Sequence, residues 1–202
     1  PWISRQRRQR QDQASRAIRE GQLPQQALRW QPPATGPSAE TVPLVERLGD
    51  FMPVRGNAVE LLDDYDGAIA ALIADIDAAR DRVHLLYYLM FDDAVGAAVT
   101  EALVRAAGRG VRCRVLLDAV GAKRGWRRFS APLRAAGVDV HRMMPGGLRW
   151  RRSSRMDLRN HRKIAVIDDH VGYVGSQNLA EAEFVPGHPN RELVARTRGP
   201  IV

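Results

Sequence analysis

RNHRKIAVID, residues 159–168, is the stretch of sequence that decides the fold. Its second half, residues 164–167, is a short apolar run rich in β-branched residues, which is typical of a buried strand. Directly before this run, His161 and Lys163 stand two positions apart, so their side chains point to the same side of an extended chain. The stretch is therefore predicted to be a strand that presents an imidazole and an ammonium group on one face.

Strands alternate with helices around this stretch. The predicted strands are 58–62, 83–91, 111–117, 138–140, 163–167, 171–174 and 193–197, and the predicted helices are 67–80, 94–107 and 131–136. Residues 83–91 form a nearly continuous apolar run, which predicts a strand buried on both faces. The alternation predicts an α/β fold with a mixed, mostly parallel β-sheet flanked by helices.

The first 45 residues differ in composition from the rest of the chain. A basic, glutamine-rich segment comes first, and Pro32, Pro33, Pro37 and Pro43 then predict a linker without helix or sheet. We interpret residues 1–45 as a basic, juxtamembrane-like tail with a proline-rich linker, and residues 46–202 as one domain. Two states of the tail stay open: a segment that binds anionic lipid headgroups, and a disordered arm without a partner.

No apolar run approaches the roughly 18 residues that cross a bilayer, so no membrane span is predicted within these residues. Because the first residue is Pro1 rather than methionine, we interpret the chain as an excerpt or a processed form. A membrane segment upstream of residue 1 would then not be visible in the sequence.

The composition indicates what kind of partner the chain binds and whether it contains a disulfide bond. The chain has 31 Lys and Arg against 23 Asp and Glu, a formal net charge of +8, which suits an anionic partner. Charge alone does not choose between nucleic acid and an acidic membrane surface. Cys113 is the single cysteine, which excludes an intrachain disulfide and favours a buried thiol.

Two short segments carry the residue types of phosphoryl chemistry. His161 offers a nucleophilic or proton-transferring imidazole, and Lys163 offers a positive charge for the oxygens of a phosphodiester. Downstream, Ser176 and Asn178 follow Gly175 and can donate hydrogen bonds to a phosphate oxygen. No spacing typical of metal ligands accompanies them, so we expect no metal and no cofactor.

The pattern His161-x-Lys163-x-x-x-x-Asp168, followed by Gly175-Ser176-x-Asn178, resembles the signature of the phospholipase D superfamily. The surroundings, residues 80–88, 156–163 and 193–200, are similar to bacterial cardiolipin synthases. The resemblance covers about residues 46–202 and implies one phospholipase-D-like catalytic lobe. It also implies that the partner is anionic phospholipid, with phosphatidylglycerol as substrate and cardiolipin as product. The similarity of these surroundings to cardiolipin synthases counts against nucleic acid as the partner.

The resemblance also implies a role for each matching residue. His161 would be either the nucleophile that forms a phosphohistidine or the acid that protonates the leaving alcohol. Lys163 and Asn178 would hold the phosphate oxygens, with Ser176 assisting. Glu192 would accept a hydrogen bond from the other ring nitrogen of His161. Asp168 belongs to the motif, but from its place at the end of a strand we expect a structural ion pair.

Enzymes of this superfamily use two copies of the motif, and this sequence has one. The other histidines, none of which is followed by a lysine two residues later, are His84, His141, His170 and His188. We therefore expect a second lobe, supplied by a missing half of the protein or by a homodimer. An isolated lobe with one motif can be inactive.

A basic segment that contains an aromatic ring precedes the motif. Arg149, Trp150, Arg151 and Arg152 are interpreted as a lipid-headgroup surface beside the active site, with a solvated loop as the alternative. Tyr87 and Tyr88 are expected to be core residues, with one hydroxyl reaching the site.

The sequence therefore predicts a cardiolipin synthase at the bacterial inner membrane, with its catalytic lobe on the cytoplasmic side. Phosphatidyl transfer between two phosphatidylglycerol molecules would pass through a phosphohistidine and release glycerol. Three alternatives stay open: a phospholipase D that uses water as acceptor, a metal-independent nuclease of the same superfamily, and a non-catalytic module that binds anionic lipid.

Overall fold

The structure, a computed structural model, describes residues 29–31, 35–48, 53–143 and 159–202. These residues belong to two compact units. One unit comprises the described residues up to Asn57 together with Ile201, and the other comprises Ala58–Pro200 together with Val202. In the described part of the chain, no helix is long and apolar enough to cross a membrane.

The described residues of the first unit include a helix, α1 (Pro37–Leu48), where the sequence predicted a linker without regular structure. Pro37 takes the first helical position, at which the missing N–H would have no partner in any case. Pro43 removes one hydrogen bond inside the helix, but Glu40 in the first turn and Arg47 in the last turn suit the helix dipole. The prediction is therefore corrected for residues 37–45, while residues 1–28 and 32–34 lie outside the described part.

The second unit is built on a seven-stranded sheet with the order β1-β7-β6-β5-β2-β3-β4. Its strands are β1 (Ala58–Leu62), β2 (Arg82–Tyr87), β3 (Arg112–Asp118), β4 (Asp139–Met143), β5 (Ile164–Ile167), β6 (Val171–Gly175) and β7 (Val194–Arg198). Its helices are α2 (Tyr65–Ala78), α3 (Ala94–Gly108) and α4 (Lys123–Ala135).

The prediction of an α/β fold with a mixed sheet is confirmed, although antiparallel pairings outnumber the parallel pairings that we expected to dominate. Only β2, β3 and β4 pair in parallel, because helices α3 and α4 connect them as crossovers. The other four pairings, β1–β7, β7–β6, β6–β5 and β5–β2, are antiparallel.

The core forms where apolar faces of the helices meet alternate residues of the strands. Helix α2 buries Ala68, Ile69, Leu72 and Ile76, which recur at helical spacing. They join one cluster with Val83, Leu85 and Tyr87 of β2 and Cys113, Val115 and Leu117 of β3. Cys113 is a buried free thiol, as expected, and burial raises its pKa to about 11.

Strand β2 is shorter than predicted and is not fully buried on both faces. It ends at Tyr87, and along it His84 is exposed while Leu86 is only half-buried. The apolar run continues to Phe91, but the chain leaves the sheet at Tyr88, and Met90 instead forms an isolated bridge with Leu179. This exit is what places Tyr88 beside the site described below.

The strand registers bring the strand ends that carry or flank the motif residues to one edge of the sheet. Leu86 near the end of β2 pairs with Ile164 at the start of β5, and Ile164 pairs with Val174 near the end of β6. Gly175, which ends β6, pairs with Val194, which begins β7. The carboxyl ends of β2, β3 and β6 and the amino ends of β5 and β7 therefore meet, and we call this the carboxyl edge.

Asp168 lies at the opposite edge of the sheet, directly after β5. Its carboxylate accepts hydrogen bonds from the backbone N–H groups of Arg80 (2.9 Å), Asp81 (2.8 Å) and Arg82 (2.9 Å). The expected ion pair is thus corrected to a set of backbone contacts, and it is Asp169 that pairs with Arg82, at 3.0 Å. The structure does not bring Asp168 together with His161.

Burial has the largest single effect on the pKa of Asp168 and would raise it, but the three backbone donors together outweigh burial. The pKa of Asp168 is therefore held below its ordinary value. A carboxyl with a lowered folded-state pKa contributes stability above its unfolded-state pKa and loses that contribution as the pH falls through the folded-state pKa.

We predict that Asp168→Ala lowers the free energy of unfolding by about 2–4 kcal/mol near neutral pH, because three backbone donors lose a charged acceptor. The deficit should shrink in acid, where the native carboxylate is itself protonated. Denaturant unfolding at about pH 7 and about pH 2.5 measures both effects.

Asp169→Ala is the matched control, because both aspartates have positive φ angles, 53° for Asp168 and 51° for Asp169. Asp169→Ala changes a residue with the same backbone strain but removes only a surface ion pair. We therefore expect it to lower the free energy of unfolding by less than about 1 kcal/mol. An equal decrease in the free energy of unfolding for the two variants would contradict the stabilising role of the backbone hydrogen bonds to Asp168.

Candidate active site at the carboxyl edge of the sheet

His161 lies just before β5 with an exposed side chain. Its imidazole packs on the ring of Tyr88, with 4.1 Å between ring centroids and 41° between ring planes. Tyr88 reaches this position because it follows the last residue of β2, next to the start of β5. Tyr87 is buried as expected, whereas Tyr88 is only half-buried and its ring contacts the imidazole.

Lys163 contacts the same tyrosine. Its Nζ lies 5.7 Å from the centroid of the Tyr88 ring and donates a hydrogen bond of 2.7 Å to the carbonyl oxygen of His161. The imidazole and the ammonium group therefore lie against one ring, although strand β5 begins only at Ile164. This arrangement matches the side-by-side placement that the two-residue spacing predicted.

Lys163 also borders a small cavity of about 10 Å³, which has room for roughly one water molecule. Other residues that line the cavity are Tyr87, Gly175, Gln177 and Val194. Burial lowers the pKa of Lys163, and the negative charge of Glu192 partly opposes this shift. Lys163 is therefore a partly desolvated cation with a carboxylate in electrostatic reach.

Glu192 lies just before β7 and is half-buried. Within the residues that the structure describes, no hydrogen bond connects it to His161, so the proposed bond to the imidazole stays a prediction. Its charge also acts on Tyr65, whose pKa rises to about 12 through burial first and then through Glu192 and Asp93. Glu192 is thus an electrostatic neighbour of Lys163 and Tyr65.

Gly175 allows β6 and β7 to approach closely enough to form the next part of the site. A Cβ atom at this position would lie 2.3 Å from the carbonyl oxygen of Leu193. The Ser176 N–H donates to that oxygen at 3.1 Å, and the Leu193 N–H donates to Ser176 Oγ at 3.1 Å. Ser176 therefore joins the end of β6 to the start of β7, and its contact with a phosphate stays a prediction.

Asn178 is a buried residue whose amide is held in one orientation. Its Oδ1 accepts a hydrogen bond of 3.1 Å from the backbone N–H of Leu89, just beyond Tyr88. No described residue accepts from its Nδ2, so two N–H donors stay available for an anion. The phosphate-binding role of Asn178 stays a prediction.

Contacts from α2 and α3 fix the loop that carries Ser176 and Asn178. Gln177 Nε2 donates to the Tyr65 carbonyl oxygen at 2.7 Å, and the Tyr65 hydroxyl donates to the Ala180 carbonyl oxygen at 2.9 Å. Asp93, the N-cap residue of α3, accepts from the Glu181 N–H at 2.8 Å. The first residue of α2 and the cap of α3 thus position the loop.

Sequence reasoning missed two residues of this edge, Asp118 and Arg159. Asp118 ends β3, and its Oδ1 accepts from the backbone N–H groups of Val120 (2.9 Å) and Gly121 (3.0 Å). Arg159 Nη1 lies 3.4 Å from the same oxygen. The sequence did contain a signal for Asp118, because this carboxylate directly follows the predicted strand 111–117 and precedes Gly121 by three residues.

The proposed lipid surface of Arg149, Trp150, Arg151 and Arg152 lies outside the described residues, so that interpretation stays a prediction. Over residues 29–31, 35–48, 53–143 and 159–202, no three or more His, Cys, Asp or Glu side chains form a group that could hold a metal ion.

We predict that Glu192→Gln lowers the pKa of Lys163, because it removes a charge that favours the ammonium form. The measurement is the pH dependence of lysine acetylation, followed by mass spectrometry. Lys123 and Lys163 are the only lysines, so the two modified peptides are easily separated. Glu183→Gln, which changes an exposed carboxylate, is the control. An unchanged pH dependence of Lys163 acetylation in Glu192→Gln would contradict the electrostatic effect of Glu192 on Lys163.

Comparisons with known proteins identify a family and support the fold. Residues 72–202 match the model of the family described as "Cardiolipin synthase, PLD-like domain". Cardiolipin synthase A of Yersinia pseudotuberculosis is 36% identical over 163 residues, which cover 78% of this chain and 34% of that protein. The chain therefore spans about one third of the length of the curated relatives that it matches.

Two solved structures share the fold. Nuc from Salmonella typhimurium, described as a phospholipase D family member, superposes with a TM-score of 0.52 at 19% identity, over 71% of this chain and 84% of that chain. NucT from Helicobacter pylori also gives a TM-score of 0.52 at 19% identity, over 71% of this chain and 86% of that chain. The family match spans the histidine motif, the loop that carries Asn178, and Glu192. The chain belongs to the cardiolipin synthase family of phospholipase-D-like domains.

Proposed function

We propose that this chain is one catalytic lobe of a phosphatidyltransferase of the cardiolipin synthase type. Its reaction joins two phosphatidylglycerol molecules to give cardiolipin and glycerol. One observation carries the proposal: an exposed imidazole and a partly desolvated ammonium group lie against the ring of Tyr88 at the carboxyl edge. The anchored amide of Asn178, with free N–H donors, lies at the same edge.

His161 has the chemistry of the nucleophile in the first step. A ring nitrogen attacks the phosphorus of one phosphatidylglycerol, an N–P bond forms, and the P–O bond to the terminal glycerol breaks. The departing glycerol oxygen takes a proton from a general acid. A hydroxyl of the second phosphatidylglycerol then attacks the phosphorus and gives its proton to the group that acted as general acid. The new P–O bond forms as the N–P bond breaks, which releases His161.

Lys163 and Asn178 stabilise the negative charge on the phosphoryl oxygens. A compact ammonium group that has lost part of its water shell attracts an anion more strongly than a fully hydrated one. The Asn178 amide adds fixed donors that need no reorganisation during the reaction. Ser176 assists as a further donor, and Glu192 orients the imidazole once the site is closed.

The general acid comes from a second lobe. One imidazole cannot attack the phosphorus and at the same time protonate the leaving oxygen. His170 lies in the turn at the opposite edge, and the side chain of His141 is bonded to Asp139. The remaining part of a longer protein, or a second copy of this chain, therefore supplies the other histidine.

Anionic lipid reaches the site from a membrane surface. Arg149, Trp150, Arg151 and Arg152 immediately precede the catalytic segment in sequence, and the first 30 or so residues add further arginines near the membrane. We propose the cytoplasmic side of the bacterial inner membrane as the location, where phosphatidylglycerol is both donor and acceptor.

Labelled phosphatidylglycerol, supplied in mixed micelles to the full-length protein that contains this chain, tests the proposal. We expect labelled cardiolipin and free glycerol. His161→Ala should lower the rate about 10³-fold or more, and Lys163→Met about 10²-fold or more. His170→Ala, at an exposed histidine of the opposite edge, should leave the rate within about twofold.

Other products would overturn the proposal in distinguishable ways. Phosphatidic acid as the main product identifies a phospholipase D with water as acceptor. Cleavage of plasmid DNA without added metal, abolished by His161→Ala, identifies a nuclease. Vesicle binding without any turnover, unchanged in His161→Ala, identifies a non-catalytic lipid-binding module.

A further inference from the structure

A buried ion pair lies directly behind the segment that carries His161. Arg159 precedes His161 by two residues, and its Nη1 lies 3.4 Å from Asp118 Oδ1. The Arg159 side chain is 7% exposed and the Asp118 side chain is 0% exposed. Because both side chains are largely shielded from water, displacing Arg159 would leave the buried carboxylate of Asp118 without this cation.

Asp118 has a second connection to His161, through the turn that follows β3. The carboxylate accepts the N–H groups of Val120 and Gly121 and so fixes that turn. Gly121 in turn packs tightly on Tyr88: a Cβ atom there would lie 2.6 Å from the Tyr88 carbonyl oxygen and 2.8 Å from its Cε2. The Tyr88 ring is the surface on which the imidazole of His161 rests.

We propose that Asp118 is a positioning residue for His161. It holds the backbone before the histidine through Arg159, and it holds the ring beneath the imidazole through Gly121 and Tyr88. The inference rests on the proposed function, because it assigns Asp118 an effect on the step that His161 performs. Asp118 itself does not contact the substrate.

The charge of Asp118 is what makes this role testable. An asparagine at the same position keeps an oxygen for the N–H groups of Val120 and Gly121, but it cannot hold a guanidinium group with a full negative charge. Within the described residues, Arg159 is the cation that pairs with this carboxylate, through Oδ1, and Asp118 Oδ2 has no hydrogen-bond partner. Asp118→Asn therefore loosens the Arg159 contact selectively.

The experiment measures kcat and KM for phosphatidylglycerol in the full-length protein for four variants: Asp118→Asn, Arg159→Gln, Arg159→Lys and the double variant Asp118→Asn/Arg159→Gln. We expect kcat to fall about tenfold to 100-fold in Asp118→Asn and in Arg159→Gln. KM should change less than about threefold in both, since neither side chain binds lipid.

Two further readouts separate positioning from general stability. The double variant should be no slower than the slower single variant, because both changes break one interaction. Arg159→Lys should recover part of the lost kcat, because it retains a cation. Asp75→Asn is the matched control. Asp75 on α2 forms a largely buried ion pair with Arg196 on β7, at 2.7 Å. The Asp75→Asn variant should therefore lose stability but keep kcat.

Each contrary result has a distinct meaning. Normal kcat in Asp118→Asn and Arg159→Gln, with an inactive His161→Ala, overturns the positioning role and leaves the proposed function standing. A fully active His161→Ala overturns the proposed function itself. A fall in kcat of Asp118→Asn and Arg159→Gln that matches only their loss of folded protein also overturns the positioning role. Should Asp118→Asn fail to fold, the two Arg159 variants decide the question by the same criteria.

Discussion

The antiparallel register of β5 between β2 and β6 is the constraint on which the candidate site depends. It places the amino end of β5, with His161 and Lys163, beside the carboxyl ends of β2 and β6. A slip by one residue would turn Ala165 and Ile167 out of the core and would move the motif to the other face of the sheet. The chemistry of the edge is therefore a consequence of strand pairing.

Asp168 fixes this register from the opposite end of the same strand. Its carboxylate binds three consecutive backbone N–H groups that lead into β2, and its own N–H donates to the Arg82 carbonyl oxygen at 2.9 Å. The spacing between His161 and Asp168 in the motif thus corresponds to the length of β5 with its flanking residues. Asp168 therefore influences the position of His161 by fixing the register of β5 against β2.

The sequence predicted those features that local pattern controls, and it failed where distant contacts decide. Short apolar runs located all seven strands, and the spacing of His161 and Lys163 indicated where the candidate site lies. Helix α4 was predicted from residue 131 but begins at Lys123, because Pro132 and several exposed arginines obscured its apolar face of Trp126, Phe129 and Leu133. The contact between Arg159 and Asp118 spans 41 positions, and no local signal reveals it.

The exposure of His161 limits what this lobe can do alone. Electrostatic stabilisation of a phosphoryl group is strong only where water is excluded, yet the imidazole is exposed in the described structure. Lys163, whose pKa is lowered by burial, has already lost part of its water shell. In the proposed enzyme, a second lobe that covers the carboxyl edge would remove the remaining water and bring the second histidine with it. One docking event would then provide the proton donor and the dry environment in which Lys163 and Asn178 are most effective.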